Sequence, residues 1–375
     1  MTAATPYQHA VQKIIDEIVV PSAPDIDRAA LFPREAIDAL GKAGLLALIS
    51  AKDVGGIGES TRAASYVVEK IAEACGSTAM VVCMHYAATA VIEKYGSDAV
   101  RKDIAAGKHL STLAFSEAGS RSHFWAPVGT AAQSNGHFVL DSKKSWITSA
   151  GEADSYVWSS KPVSAEGAST IWLVPSRAGG VATVAPFDGL GLRGNGSSPV
   201  TGTQVKVGEA DRLGPDGGGF DVMMGVVLPI FQVLIASCSL GTMEAAVKKS
   251  AAHVGGTKFA HLGQSLADLP TIRAYIARAR ISTDSVRALL GDTIVALESG
   301  REDTMLRVLE IKAAAGEAAL EVTDLAMRVC GGAAFRKDVG IERHFRDARA
   351  ASVMAPTSDV LYDFIGKAAC GLPLF

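Results

Sequence analysis

The sequence has few cysteines, little net charge and no leader-like start. Its five cysteines form no Cys-x-x-Cys pair in 375 residues, which predicts reduced thiols and a cytoplasmic protein. The net charge of −3 and the pI near 6.3 argue against the basic stripe of a nucleic-acid-binding protein. Residues Met1 to Gln12 contain no apolar core of the signal-peptide type.

Charge is also absent from one long stretch of the C-terminal half. Between Val222 and Met243 no residue is charged, and about 20 apolar residues are enough to span a membrane. Pro229, Gln232 and two serines interrupt this run, and no Lys/Arg cluster flanks it. A helix buried on all sides in a large bundle shows the same pattern. We therefore predict a buried helix and no membrane insertion.

The residue pattern of the chain changes twice along its length. Up to about residue 110, alanine-rich stretches with apolar residues at helical spacing predict helices. From about 111 to 210, short β-branched and aromatic runs alternate with glycine and serine, and Asn135-Gly136 predicts a hairpin. Helical patterns then return, and Gly331-Gly332 ends a long helix. We predict a multidomain α+β fold with an N-terminal α-helical domain (1–112), a central β-barrel or β-sandwich domain (113–215) and a C-terminal four-helix bundle (216–375).

Several separate segments carry a pattern whose order along the chain is informative. They include Ala114-Phe115-Ser116-Glu117-Ala118-Gly119-Ser120-Arg121-Ser122-His123, Lys144-Ser145-Trp146-Ile147-Thr148-Ser149, Arg328-Val329-Cys330-Gly331-Gly332 and Arg343-x-x-Arg346-Asp347. This order resembles the acyl-CoA dehydrogenase family over nearly the whole chain. The resemblance implies an oxidoreductase that uses FAD, acts on CH–CH groups of an acyl thioester (usually acyl-CoA), and forms a homodimer or homotetramer. It leaves the electron acceptor and the acyl length open.

The resemblance also assigns a flavin site. The implied cofactor-binding residues are Phe115, Ser116, Ser122, Trp146, Thr148, Arg328, Gly331, Gly332 and Thr357. A flavin ring needs a flat wall, which Trp146 offers, and Thr148 is expected to point the same way because side chains alternate along a strand. Consecutive glycines let backbone approach a phosphate closely. The family's arginine for the dinucleotide aligns with Phe259, so Arg328 is predicted to supply the cation instead.

The base of this family is missing from the chain. The resemblance places its glutamate at Ala355, and the alternative helical position of some relatives at Phe231. Neither side chain accepts a proton, so no catalytic residue can be named. The implied substrate-binding residues are Ser122, His123, Phe231, Gln232 and Ala355. His123 and Gln232 replace an aspartate and an arginine of the family near the CoA pocket, which leaves CoA itself in question.

Three functions remain open at this point. The first is α,β-oxidation of an acyl-CoA thioester with the usual base replaced by Ala355. The second is a flavoenzyme of the same fold with different chemistry, such as elimination, desulfination or a monooxygenase-type reaction. The third is a non-catalytic subunit that pairs with a homologue carrying the glutamate. No His/Cys/Asp/Glu cluster in the sequence has metal-ligand spacing.

Overall fold

The computed structural model describes residues 4–121 and 123–373, which form helices, then two small sheets, then helices again. This order confirms the predicted fold class. The predicted domain boundaries stay predictions; the first strand begins at Ser111 and the later helices at Gly219. The helices of the first part are α1 (Pro6–Ile14), α2 (Val20–Ala29), α3 (Arg34–Lys42), α4 (Thr61–Ala74), α5 (Gly76–Tyr95) and α6 (Asp98–Ala105).

Helix α5 is buried on nearly all sides because it consists largely of alanine, valine and methionine. His85 lies within it and is fully buried. Its Nε2 contacts the Leu46 carbonyl at 3.0 Å, and its Nδ1 accepts the Ser111 amide at 3.1 Å. Burial lowers the pKa of His85 to about 4, so the imidazole stays neutral. We interpret His85 as an interior residue with its hydrogen bonds satisfied.

Two sheets pack face to face in the central part, so the fold here is a sandwich. Asn135 and Gly136 both have positive φ (47° and 82°), as a type I′ hairpin requires. Strand order is β1-β4-β5 in one sheet and β2-β3-β7-β6 in the other, and Trp158 and Trp172 lie in the apolar core between them. The strands are β1 (Ser111–Ala114), β2 (Thr130–Ser134), β3 (His137–Ile147), β4 (Ser155–Ser160), β5 (Thr170–Pro175), β6 (Val181–Thr183) and β7 (Ser198–Val207).

The C-terminal part is a helical bundle built around the uncharged stretch. That stretch lies in a continuous helical segment, Gly219–Gly256, whose most apolar window is 72% buried, which confirms the predicted buried helix. The helices of this part are α7 (Gly219–Val222), α8 (Leu228–Gly256), α9 (Pro270–Ser299), α10 (Thr304–Cys330), α11 (Ile341–Asp347), α12 (Arg349–Val353) and α13 (Ser358–Ala369). Helices α9 and α10 pack against α8, and α13 packs against α10. Gly331, with φ 55°, ends α10.

Arg346 and Asp347, at the end of α11, join all three parts of the chain. The Arg346 guanidinium binds both carboxylate oxygens of Asp27 in α2, at 2.8 and 2.6 Å, and donates to the Leu190 carbonyl at 3.0 Å. The Asp347 carboxylate accepts the Leu192 amide at 2.6 Å. Bidentate arginine–carboxylate pairs are among the strongest polar contacts in proteins, so this pair fixes the helical parts against the central loop.

We expect Arg346→Met to lower the free energy of unfolding by about 2–3 kcal/mol, because Asp27 would stay mostly buried without a counter-charge. Burial opposes ionisation of Asp27, but Arg346 lowers its pKa below the ordinary value. The pair therefore contributes above the ordinary pKa of an aspartate and is lost as the pH falls through the lowered value. Urea unfolding at several pH values should show this acid-dependent loss in the wild type and not in the variant. Arg28→Met removes a solvent-exposed partner of Asp25 and serves as the control; equal effects of the two changes would contradict the prediction.

Candidate active site

A cleft opens where the central sheets meet α5 and α8. It spans about 440 Å³ with the open solvent at its mouth included. All three parts of the chain contribute to its lining, whose side chains are apolar except for the Ser116 hydroxyl and the indole nitrogen of Trp146. The lining residues are Met84, Leu113, Phe115, Ser116, Phe124, Trp146, Ile147, Val227, Leu228, Phe231 and Ala355.

Trp146 reaches the cleft because β3 is irregular at this point. The pairing of β3 with β7 changes register between Lys144 and Ile147, and Trp146 has φ 57°. A bulge of this kind re-aims a side chain, and the indole is 71% exposed instead of part of the sandwich core. Thr148 lies beyond the bulge and the strand end, is 2% exposed, and contacts the Ser197 hydroxyl at 3.3 Å; its role beside the flavin stays a prediction.

A buried ion pair fixes the loop that supplies Phe115 and Ser116. Glu117 accepts from the Lys144 ammonium at 2.7 Å and from the amides of Val128 and Gly129 at 2.6 and 3.0 Å. Burial lowers the pKa of Lys144 to about 8. Burial also opposes ionisation of Glu117, but Lys144 keeps its pKa below the ordinary value. Glu117 is thus a structural anion with its lone pairs occupied.

The two residues that the resemblance places at the family's base positions share this cleft. Phe231 from α8 and Ala355 from the loop before α13 both line it. Among the lining residues that the structure describes, none carries a carboxylate, an imidazole or an amine. Phe231 and Ala355, which the sequence predicts at the two base positions, therefore line one cleft, and none of the described residues in its lining is an acid.

Two further grooves lie near the cleft. The first, the outer groove, spans about 820 Å³ with open solvent included and is lined by His123, Trp125, Asp359, Val360, Asp363, Phe364 and Lys367. The His123 and Trp125 rings are 5.1 Å apart, so one wall of this groove is both polar and aromatic. The other groove, of about 490 Å³, is apolar and shares Phe124 and Leu228 with the cleft. Asp359 thus lies in the outer groove rather than in the cleft that Ala355 lines.

Lys312 is a residue that the sequence analysis missed. It is fully buried on α10, and its Nζ donates to the carbonyls of Met354 and Pro356 at 2.9 and 2.5 Å. These carbonyls flank Ala355 on both sides. The available signal was a single lysine on an apolar helix face, four residues after Val308.

Other predicted residues lie outside the cleft lining. Arg328, near the end of α10, is exposed and donates to the Tyr275 hydroxyl at 3.1 Å. No described atom lies within 4 Å of a Cβ built on Gly331 or Gly332, so this backbone is open to a close approach. Thr357 is the N-cap of α13.

Gln232 is fully buried, and among the described residues its amide has no hydrogen-bond partner. It lies one helical turn beyond Leu228 rather than in the lining of the cleft. Ser122 lies outside the described residues.

Three domain models of one family match the chain in order. The acyl-CoA dehydrogenase N-terminal domain matches residues 4–107, the middle domain 112–205 and the C-terminal domain 217–370. The chain belongs to the acyl-CoA dehydrogenase family. Acyl-CoA dehydrogenases are FAD-dependent oxidoreductases that act on CH–CH groups, and this protein is an enzyme of that class.

Individual relatives agree with this assignment. The chain is 28% identical over 348 residues to the human mitochondrial short-chain specific acyl-CoA dehydrogenase, covering 91% of this chain and 83% of the relative. Its fold is similar to butyryl-CoA dehydrogenase from Megasphaera elsdenii (TM-score 0.91, 19% identity, 99% of each chain). It is also similar to the prolyl acyl carrier protein oxidase AnaB (TM-score 0.88, 17% identity, 98% of this chain and all of that one). Proteins named for different acyl carriers therefore share this fold.

We expect Glu117→Gln to lower the free energy of unfolding by about 3–5 kcal/mol, because the Lys144 ammonium would stay buried without a counter-charge. Ser142→Ala is the matched control, since it removes one hydrogen bond to the same carboxylate and should cost about 1–3 kcal/mol. Urea unfolding measures both. The double variant Glu117→Leu/Lys144→Met should recover part of the loss, and a Glu117→Gln value no larger than that of the control would contradict the role of the ion pair.

Proposed function

We propose that the protein oxidises the α,β carbon–carbon bond of a small acyl thioester at the cleft. One observation carries the proposal. The exposed indole of Trp146 and both base positions of the family, Phe231 and Ala355, line the same space. That space combines a flat aromatic wall with an apolar chamber, which suits a planar ring stacked beside an uncharged acyl group.

The residues present fit FAD. Trp146 would lie against the ring, Phe115 and the Ser116 hydroxyl would border it, and the open backbone at Gly331 and Gly332 would admit the pyrophosphate with Arg328 as its cation. FAD, when bound, accepts the hydride that leaves the β-carbon. The remaining proposed contacts come from Thr148, Thr357 and Ser122.

The side chains that line the cleft and the outer groove determine which acyl group and which carrier can bind. Met84, Phe124 and Phe231 present apolar surface, which favours an uncharged acyl group over a charged one. Because these bulky side chains line the cleft together, we propose a small acyl group. His123 and Lys367 in the outer groove would meet the carrier, for which we propose CoA.

The α-proton has no acceptor among the described lining residues. It must therefore leave to water or to a group that the substrate itself brings. This requirement favours substrates in which a neighbouring group already acidifies the α C–H bond. A plain alkanoyl thioester should react slowly.

The same apolar lining also favours the second candidate, a reaction that needs no protein base at this position. Elimination of a β leaving group, desulfination, and oxygen activation of the monooxygenase type belong to this class. Oxygen consumption by the reduced protein would separate the last of these from dehydrogenation. The third candidate, a non-catalytic subunit, would co-purify with a homologue that carries the glutamate. For the chain itself we propose a cytoplasmic homodimer or homotetramer.

The test is an anaerobic titration of the purified FAD-loaded protein with acyl-CoAs, followed by flavin absorbance. The panel should pair plain short-chain thioesters with thioesters that carry an electron-withdrawing group next to the α-carbon. Bleaching by the second set supports the proposal. A yellow protein that no thioester bleaches would overturn it in favour of the base-independent reactions or the partner subunit.

Restoring the base should accelerate bleaching. Ala355→Glu would place a carboxylate in the cleft, and a general base contributes about 10²-fold or more. Ala355→Gln has the same length and cannot accept the proton, so it is the matched control. Stopped-flow absorbance under anaerobic conditions measures both variants. Equal bleaching rates of the two variants would show that a side chain at position 355 does not reach the α-carbon.

Arg328→Ala should weaken FAD retention by roughly 10- to 100-fold, the value of a lost charge-assisted hydrogen bond. FAD content after gel filtration and a fluorescence titration report it. Tyr275→Phe removes the hydroxyl that Arg328 contacts but keeps the cation, so FAD retention should change little. Lys258, which precedes the Phe259 position aligned with the family's arginine, is the alternative cation, and Lys258→Ala tests it. Unchanged FAD retention in Arg328→Ala would exclude Arg328 from the cofactor site.

A further inference from the structure

Lys312 is the charged residue that the proposed reaction leaves unexplained. It lies on α10 with none of its surface exposed, where an ammonium group loses most of its hydration. Burial accordingly lowers the pKa of Lys312 to about 7. A lysine in such a place is costly unless its donors are used.

The donors of Lys312 are spent on the loop next to the cleft. Nζ donates to the carbonyl of Met354 at 2.9 Å and to that of Pro356 at 2.5 Å. The residue between them, Ala355, lines the cleft. One amino group therefore holds the backbone on both sides of a single cleft-lining residue.

The position of Lys312 on its helix explains how the contact is made. Leu309, three residues earlier on α10, lines the apolar groove together with Pro356. Residues three apart lie on one face of a helix, so Lys312 projects behind the groove wall toward the loop. The amide of Met354 also bonds to the Ala350 carbonyl, and the amide of Leu361 to the Thr357 carbonyl. The ends of the loop are thus tied to α12 and α13, and its middle is tied to Lys312.

We propose that Lys312 is the positioning residue of the active site: by holding the carbonyls of Met354 and Pro356, it sets the direction in which the side chain at position 355 enters the cleft. It acts through the loop and does not itself line the cleft. The statement about catalysis rests on the proposed function, whereas the statement about the loop does not. A carboxylate introduced at 355 should depend on Lys312 for its reach to the α-carbon.

The experiment compares Lys312→Met, Lys312→Arg and a control, Val322→Ala, in the FAD-loaded protein. Val322 is fully buried on the same helix and packs in the bundle core, so its truncation perturbs α10 away from the loop. The first measurement is hydrogen–deuterium exchange of a peptide spanning residues 350–361. We expect Lys312→Met to speed exchange of this peptide at least tenfold and Val322→Ala to leave it unchanged. Unchanged exchange in Lys312→Met, or an equal rise in the control, would overturn the proposal.

The second measurement places the same changes in the Ala355→Glu background and records the anaerobic bleaching rate. Lys312→Met should lower the rate increase that the glutamate provides at least tenfold. Lys312→Arg should restore most of this increase, and Val322→Ala should leave it unchanged. A bleaching rate insensitive to Lys312→Met would overturn the positioning role. If Ala355→Glu bleaches no faster than Ala355→Gln, the base-restoration premise fails, and the exchange measurement alone decides whether Lys312 holds the loop.

Discussion

The cleft of this protein depends on one polar contact that lies outside it. The Arg346 guanidinium donates two parallel hydrogen bonds to the Asp27 carboxylate, and the neighbouring Asp347 carboxylate accepts the Leu192 amide. Arg346 and Asp27 are little exposed, so the attraction between them is screened less than at a free surface. The cleft takes its lining from α5, the central sheets and the C-terminal helices, which belong to the same three parts of the chain that this contact joins.

The fold could be predicted because its signals are local. Helical spacing, the Asn135-Gly136 turn and the end of α10 at Gly331 each depend on a few adjacent residues. The bulge at Trp146 could not be predicted, since regular alternation was the reasonable assumption and tryptophan carries no signal for a positive φ. The resemblance placed Phe231 and Ala355 on the substrate side, and the structure brings them into one cleft.

Other parts of the site depend on tertiary placement. Met84 and Phe124 enter the lining because α5 and the loop after β1 converge there. The partners of Lys312 are main-chain carbonyls 42 and 44 residues away. Any residue type can supply a carbonyl, so no sequence pattern at 354 or 356 points to this contact. Arg328 and the glycines that follow it still await a test of their role.

Two buried lysines hold the loops on either side of the cleft. Lys144 pairs with Glu117 on one side, and Lys312 donates to the carbonyls of Met354 and Pro356 on the other. A buried lysine is costly unless its donors are used, so each of these contacts stabilises the loop that it holds.

The bulge in β3 also gives the protein a built-in optical reporter. Of its four tryptophans, Trp158 and Trp172 are buried in the sandwich core, whereas Trp146 is largely exposed at the cleft. A ring stacked on Trp146 would remove that indole from water and quench its emission. Loading of the cleft would then lower the intrinsic fluorescence of the chain, with no label and no turnover required.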